Sequence, residues 1–236
     1  LDILRQLQGF PQLASSIDTI SKLNEQISRH TGASVPAMDM EHVAGYKGAK
    51  FIGDIYDAVR KQQTVVIEYQ SFKARHPEAL TVYPYLLKEY RNRWFLIGEK
   101  ASNRVPTINI FALDRIMSVS VDKKQPFKKC VAFDPEHFFD DTIGVTKGIH
   151  DKARKIVLTI DRDQAPYVES KPFHKSQTVE QRFHDGSIMI SLKVVINNEL
   201  ERLILGYGAH VEVIAPPEFR ARIAKSVISA ARHYTQ

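Results

Sequence analysis

A single run of the sequence concentrates groups that could hold an anion beside an aromatic plane: Tyr83-Pro84-Tyr85-Leu86-Leu87-Lys88-Glu89-Tyr90-Arg91-Asn92-Arg93-Trp94-Phe95-Leu96-Ile97-Gly98. Its two apolar-rich arms and polar middle predict a β-hairpin with cations at the tip. Successive strand residues point to opposite faces, so Trp94 and Leu96 share one face while Arg93, Phe95 and Ile97 share the other. Trp94 is the only tryptophan of the chain, and the cations and tyrosines around it set a stacking surface next to positive charge. Small barrels hold bases and phosphates with that combination. A large core residue is the plain alternative for Trp94. Arg115 could clamp a phosphate with two parallel hydrogen bonds, or the adjacent Asp114 could hold it as a structural ion pair. Lys88 and Arg91 are exposed by pattern and suit electrostatic steering.

Charge is local. The 236 residues carry 33 lysines and arginines against 27 aspartates and glutamates, a net of +6. Between Lys61 and Arg104 eight basic residues stand against four acidic ones, so this segment alone carries +4. A phosphate-bearing partner explains that concentration, and so does a strand edge protected from pairing by its cations. Catalytic chemistry has no comparable focus. The nine histidines are scattered, without the i, i+4 spacing of a helical zinc site. His137 with Asp140 and Asp141 comes nearest to a metal cluster and reads better as solvated linker. Cys130 follows two lysines, but no base or oxyanion element is legible beside it. His174 and Ser176 read as a loop before a strand. Neither glycine-rich phosphate-binding pattern is present. The expectation is a protein that is no enzyme and uses no cofactor and no metal. A hydrolase would need a clustered acid, base and nucleophile that these residues do not assemble.

The elements that position the basic hairpin follow from periodicity. Leu1, Leu4 and Leu7 lie at helical spacing, which predicts that the chain begins inside a larger protein. Ser15-Ser16 opens a second helix with Ile17, Ile20, Leu23 and Ile27 on one stripe, and both helices need a partner to cover them. A loop over 31–48 precedes a helix over 51–61. Alternating residues then predict strands at 65–69, 81–88, 93–99, 107–113 and 117–121, close enough together for a strongly bent sheet that closes into a barrel. Phe133 to Gly148 reads as a linker. Beyond it come a strand at 155–160, a helix at 164–170, strands at 177–183 and 188–196 turned at Asp185-Gly186, a helix at 199–207 with Asn198 and Glu201 in capping-box spacing, and a strand at 210–215. A last helix runs over 218–233. No apolar run reaches the roughly 18 residues of a membrane span, and no secretion signal opens the sequence, so a cytoplasmic protein without a membrane partner is expected.

Arg93-Trp94-Phe95-Leu96-Ile97-Gly98, with Phe111-Ala112-Leu113-Asp114-Arg115-Ile116 downstream, resembles the WYL domain, an Sm-like barrel of bacterial transcription regulators. Glu199-Leu200, Ile204-Leu205, Gly208, Val211-Glu212-Val213-Ile214-Ala215-Pro216 and Arg220 resemble that family's C-terminal extension. The resemblance covers Phe51 to His233 and implies an α+β architecture: a helical connector and dimerisation segment over 1–48, a five-stranded Sm-like WYL barrel over 49–132, a linker over 133–150 and a ferredoxin-like β-α-β-β-α-β domain over 151–236. Carried over by position, the ligand face includes Trp94, Phe95, Leu96 and Arg115, and the barrel's Tyr69, Tyr83, Lys88, Arg91 and Arg93 complete the expected set. The implied ligand is a nucleotide or single-stranded nucleic-acid effector, with DNA read by an N-terminal winged helix-turn-helix outside this sequence and a homodimer as the working unit. Phe95 stands where relatives carry tyrosine and removes a phenol hydroxyl. Leu80-Thr81 stands where many place an arginine, which implies a ligand read differently. A dimerisation module whose barrel binds nothing is the competing expectation.

Overall fold

Residues 47–235 are described by the structure, a computed structural model, and all of its strand pairs are antiparallel. The two helices expected before residue 31 lie outside the described residues. Among the described residues, no helix is long and apolar enough to cross a membrane. The chain divides into two units, the first ending at Val131 and the second beginning at Ala132.

In the first unit a helix, α1 (Ile52–Arg60), buries Ile52, Ile55 and Ala58 at helical spacing. Five strands follow: β1 (Val65–Tyr69), β2 (Glu78–Tyr90), β3 (Arg93–Lys100), β4 (Asn109–Ala112) and β5 (Ile116–Val121). Their order in the sheet is β4-β3-β2-β1-β5. One 3₁₀ turn, Leu113–Arg115, joins β4 at one edge to β5 at the other. Flat, those edges would lie about 19 Å apart at ~4.8 Å per strand spacing. The four Cα steps from Ala112 to Ile116 reach at most ~14 Å fully extended, and a 3₁₀ turn advances only ~2 Å per residue. The sheet must therefore curl. Register breaks between Glu68 and Tyr69 and between Pro84 and Leu86 supply local bends. At Gly98 the curl brings backbones together, since a Cβ there would sit 2.4 Å from the Tyr83 carbonyl oxygen. Val65, Ile67, Val82, Leu96 and Leu113 fill the interior.

β2 is longer than expected at both ends, because β1 holds Glu78, Ala79 and Leu80 and its hairpin partner β3 holds Glu89 and Tyr90. After β5, residues 122–131 form neither helix nor strand and lie as a strap over β2. Gln125 reaches Tyr83, Phe127 packs edge-on against Tyr83 and Tyr85, and the Lys128 carbonyl accepts from the Tyr85 hydroxyl at 3.1 Å.

The second unit runs β6 (Arg154–Ile160), α2 (Ala165–Ser170), β7 (Thr178–Arg182), β8 (Ile188–Val194), α3 (Asn198–Gly206), β9 (Val211–Ala215) and α4 (Pro217–Ala231), with sheet order β7-β8-β6-β9. Ile156, Leu158, Ile160, Ile190, Leu192 and Val194 alternate inward and meet Leu200, Ile204 and Phe219. The cap of α3 lies one residue before the expected one. Asn197, not Asn198, accepts from the Leu200 amide at 2.8 Å and donates to the carbonyls of Ile143 and Thr146. Glu201 is spent instead on Arg222 and Ser226. Of the segment expected as a linker, Ile143 enters this core, and Val145 and Thr146 donate to Glu199.

Candidate functional site

The hairpin tip is a two-residue turn. Tyr90 pairs with Arg93, and Arg91 and Asn92 both adopt positive φ, 52° and 60°. This mirror-image turn matches the twist of the strands it joins. Asparagine tolerates that backbone region, while arginine there costs roughly 1–2 kcal/mol. The Glu89 carboxylate accepts from the Asn92 amide at 2.5 Å and helps hold the turn. Arg91 lies outermost, its guanidinium 5.5 Å from the Tyr90 ring.

Register then decides which side chains meet. Phe95 opposite Ala112 brings Arg93 beside the 3₁₀ turn, where its guanidinium donates to the Asp114 carboxylate. The carboxylate expected to hold Arg115 thus holds Arg93. Leu96 is a correction to the expected ligand set: at 0% exposure it lies wholly in the core and cannot touch a ligand. Trp94 shares that face, as strand alternation requires, and part of its ring packs on the same core. Phe95 faces the other way, half-buried, with Lys88 opposite it on β2. Burial pulls the Lys88 ammonium below the usual lysine value, and Glu89 opposes that shift. Tyr83 is buried beneath the strap, its hydroxyl accepting from Gln125 at 2.8 Å. Beside it burial, reinforced by Glu99, drives the Tyr85 phenol well above the ordinary tyrosine range, so it acts as a fixed donor.

Arg115 occupies the last position of the 3₁₀ turn, and the Gln70 amide donates to its carbonyl at 3.1 Å. Its guanidinium carbon lies 3.9 Å from the centroid of Phe72, a ring that is 77% exposed on the loop between β1 and β2. Its Nε is buried without a hydrogen-bond partner, and no carboxylate pairs with it among the described residues. A half-buried planar cation beneath an exposed aromatic ring can offer its terminal nitrogens, though not the buried Nε, to an anionic oxygen, and the aromatic face to a flat ring. Nearby in the fold Tyr69 meets Phe111 edge-on at 5.3 Å and lines a cleft of about 290 Å³. Ser71, His76, Glu78 and Lys100 line it too, and their side chains make no hydrogen bond within the described residues.

The structure thus sets Arg93 and Arg115 at the same 3₁₀ turn, with Phe95 paired to Ala112 just before it, Lys88 opposite Phe95, Trp94 on the other face of β3 and Arg91 at the hairpin tip. It places Tyr69 at the cleft and removes Tyr83 and Leu96 to the interior. Phe72 was missed, although an aromatic in the polar stretch Gln70-Ser71-Phe72-Lys73 is a visible signal. Charge follows the same geography. Residues 47–131 hold sixteen lysines and arginines against eight aspartates and glutamates, a net of +8, whereas residues 132–236 hold fourteen of each.

The model of the WYL domain matches residues 50–121, and that of the WCX domain matches residues 152–231. Among solved structures, proteasome accessory factor B/C (PafBC) of Arthrobacter aurescens aligns at 15% identity and a TM-score of 0.32, over 89% of this chain and 30% of that one. A CRISPR Cas-related protein aligns at 9% identity and a TM-score of 0.49, over 80% of this chain and 52% of that one. The chain therefore spans about a third of the first and about half of the second. No curated protein matches it.

Proposed function

We propose, for a chain that carries a WYL domain followed by a WCX domain, that it is the effector-sensing portion of a bacterial transcription regulator and takes a nucleotide or nucleic-acid ligand on its first unit. The observation that carries this reading is Arg115, stacked on exposed Phe72 with no carboxylate partner among the described residues. Ligand phosphate oxygens accept from Arg115, a base lies against Phe72 or the accessible part of Trp94, and the remaining basic residues of the first unit supply long-range attraction. The bent five-stranded sheet is read as an Sm-like barrel, and the second unit, with its β-α-β-β-α-β order, as a ferredoxin-like extension. On this reading the protein is a cytoplasmic homodimer without catalytic activity, and DNA is bound by an N-terminal reader that the ligand controls through a population shift.

Removing a hydrogen bond to a charged group costs about 1.5–3 kcal/mol, roughly 10- to 150-fold in affinity. A Trp94→Ala, Arg115→Ala double variant is therefore expected to bind mononucleotides and single-stranded oligonucleotides at least tenfold more weakly than the parent. Equal binding by parent and double variant sinks the site. A protein whose melting temperature responds to no nucleotide at any salt concentration is instead a dimerisation module without a ligand.

A further inference from the structure

Lys123, Lys124, Lys128 and Lys129 are all exposed on the strap, and none has a carboxylate partner among the described residues. The backbone that carries them is pinned. Asp122 Oδ1 accepts from the amides of Lys124 at 2.8 Å and Gln125 at 3.1 Å, and Tyr85 donates to the Lys128 carbonyl. With Gln125 and Phe127 turned inward onto Tyr83 and Tyr85, the lysines are left outward as two adjacent pairs. On a loose loop like charges relax by moving apart. On a pinned backbone the repulsion stays until a polyanion relieves it, and such relief releases counterions.

Strand β5 connects this strap to Arg115, a path of about 20–25 Å at ~3.3 Å per residue. It is an edge strand with no charged residue, and Ser118 and Ser120 lie on the face away from the core. The neighbouring carboxylate, Glu68, already accepts from the Ser118 hydroxyl at 3.4 Å. Asp122 is engaged with backbone amides. A phosphate chain laid along β5 would thus have cations at both ends and no carboxylate on the strand itself, with the Glu68 carboxylate beside its middle.

We infer that residues 122–131 form a second phosphate-binding element, and that the ligand is a single-stranded nucleic acid long enough to run along β5 from Arg115 to the strap. This rests on the reading of Arg115 as a phosphate site. A mononucleotide can occupy one end only, so length dependence separates the two claims.

The test is fluorescence anisotropy with the full chain over a range of salt, using AMP in competition, an oligothymidylate of about 2 nucleotides and one of about 15, lengths that bracket common single-strand site sizes. Combining Lys123→Gln, Lys124→Gln, Lys128→Gln and Lys129→Gln is expected to leave AMP and the short strand unaffected. For the long strand it should reduce the slope of log affinity against log salt by about 3, at ~0.7 per lost phosphate contact. Thermal melting checks that the variant stays folded. A slope equal to the parent's overturns the strap, as does a long strand that the parent binds no more tightly than the short one. A duplex bound with the same slope overturns the single-strand assignment. Arg115→Ala that leaves AMP binding intact overturns the phosphate site itself, and a parent that binds no strand at any salt overturns both.

Discussion

The two units hold similar numbers of cations and pair different shares of them with carboxylates. In the second, Lys147, Lys155, Lys175, Arg182, Arg220 and Arg222 each hold a carboxylate at 2.5–2.7 Å, and Arg154 holds Glu218. In the first, Lys73, Arg75, Lys100, Arg104, Arg115 and the four strap lysines hold none among the described residues. Exposed ion pairs are worth ~0–1 kcal/mol each, so the pairing in the second unit says little about its stability. What it does is cancel the field. Fourteen charges of each sign leave the second unit without net charge, while residues 47–131 of the first keep a net +8. The difference leaves the excess of positive charge in the first unit, where the proposed ligand would lie.

The largest effect that sharpens this comparison concerns packing inside the charged unit. Leu96→Ala is expected to cost about 3–4 kcal/mol, because a fully buried leucine leaves a cavity as well as losing its transfer energy. Chemical denaturation measures the loss, and hydrogen exchange should place it in β2 and β3 with β6 and β8 still protected. A loss under about 1 kcal/mol would mean that Leu96 is not the core residue its burial indicates. Arg115→Ala should do the reverse. It removes no ion pair but loses the stacking on Phe72, so the unfolding free energy should fall by no more than about 1 kcal/mol. Phosphate-ligand affinity should fall by the tenfold or more argued above. An Arg115 variant that is strongly destabilised would make that residue structural.

Alternation made the strands and the helical stripes legible, and β-α-β-β-α-β was readable because each element there carries its own period. The site was only half legible, since sequence proximity is a poor guide once a sheet curls. Asp114 adjoins Arg115 in sequence, yet the register of β3 on β4 delivers Arg93 to it from 21 positions away. Phe72 reaches Arg115 across 43 positions. Tyr83 looked available because nothing local announces a strap that arrives after β5 to cover it. Leu96 carried a motif position and a core position at once, and the packing decided between them. In the second unit two adjacent asparagines gave two possible caps, separated only by backbone conformation: Asn197 is extended, as a cap must be.

That cap supports the next prediction. Asn197→Ala removes the bond to the Leu200 amide and strands the carbonyls of Ile143 and Thr146, so a cost of about 1–2 kcal/mol is expected. Asn198→Ala should cost less than about 0.5 kcal/mol, since Asn198 only accepts from Arg222 on the surface. Denaturant midpoints of the two single variants settle the order, and equal costs would return the cap to the position read from sequence.

The smallest effect bears most directly on the contrast between the units. Lys155 and Glu180 pair at 2.7 Å on an open face, with the lysine 62% and the carboxylate 38% exposed, and the Ser191 hydroxyl donates to the same oxygen at 2.6 Å. Solvent and salt screen such a pair, so Lys155→Gln should shift stability by less than about 1 kcal/mol, and less still at high ionic strength. It also leaves Glu180 unneutralised and gives the second unit a net charge of −1. If pairing in that unit serves only to cancel charge, the oligonucleotide salt slope should not change. A slope reduced by about 0.7, one phosphate contact, would mean that Lys155 meets the strand despite its partner and that the field is not confined to the first unit.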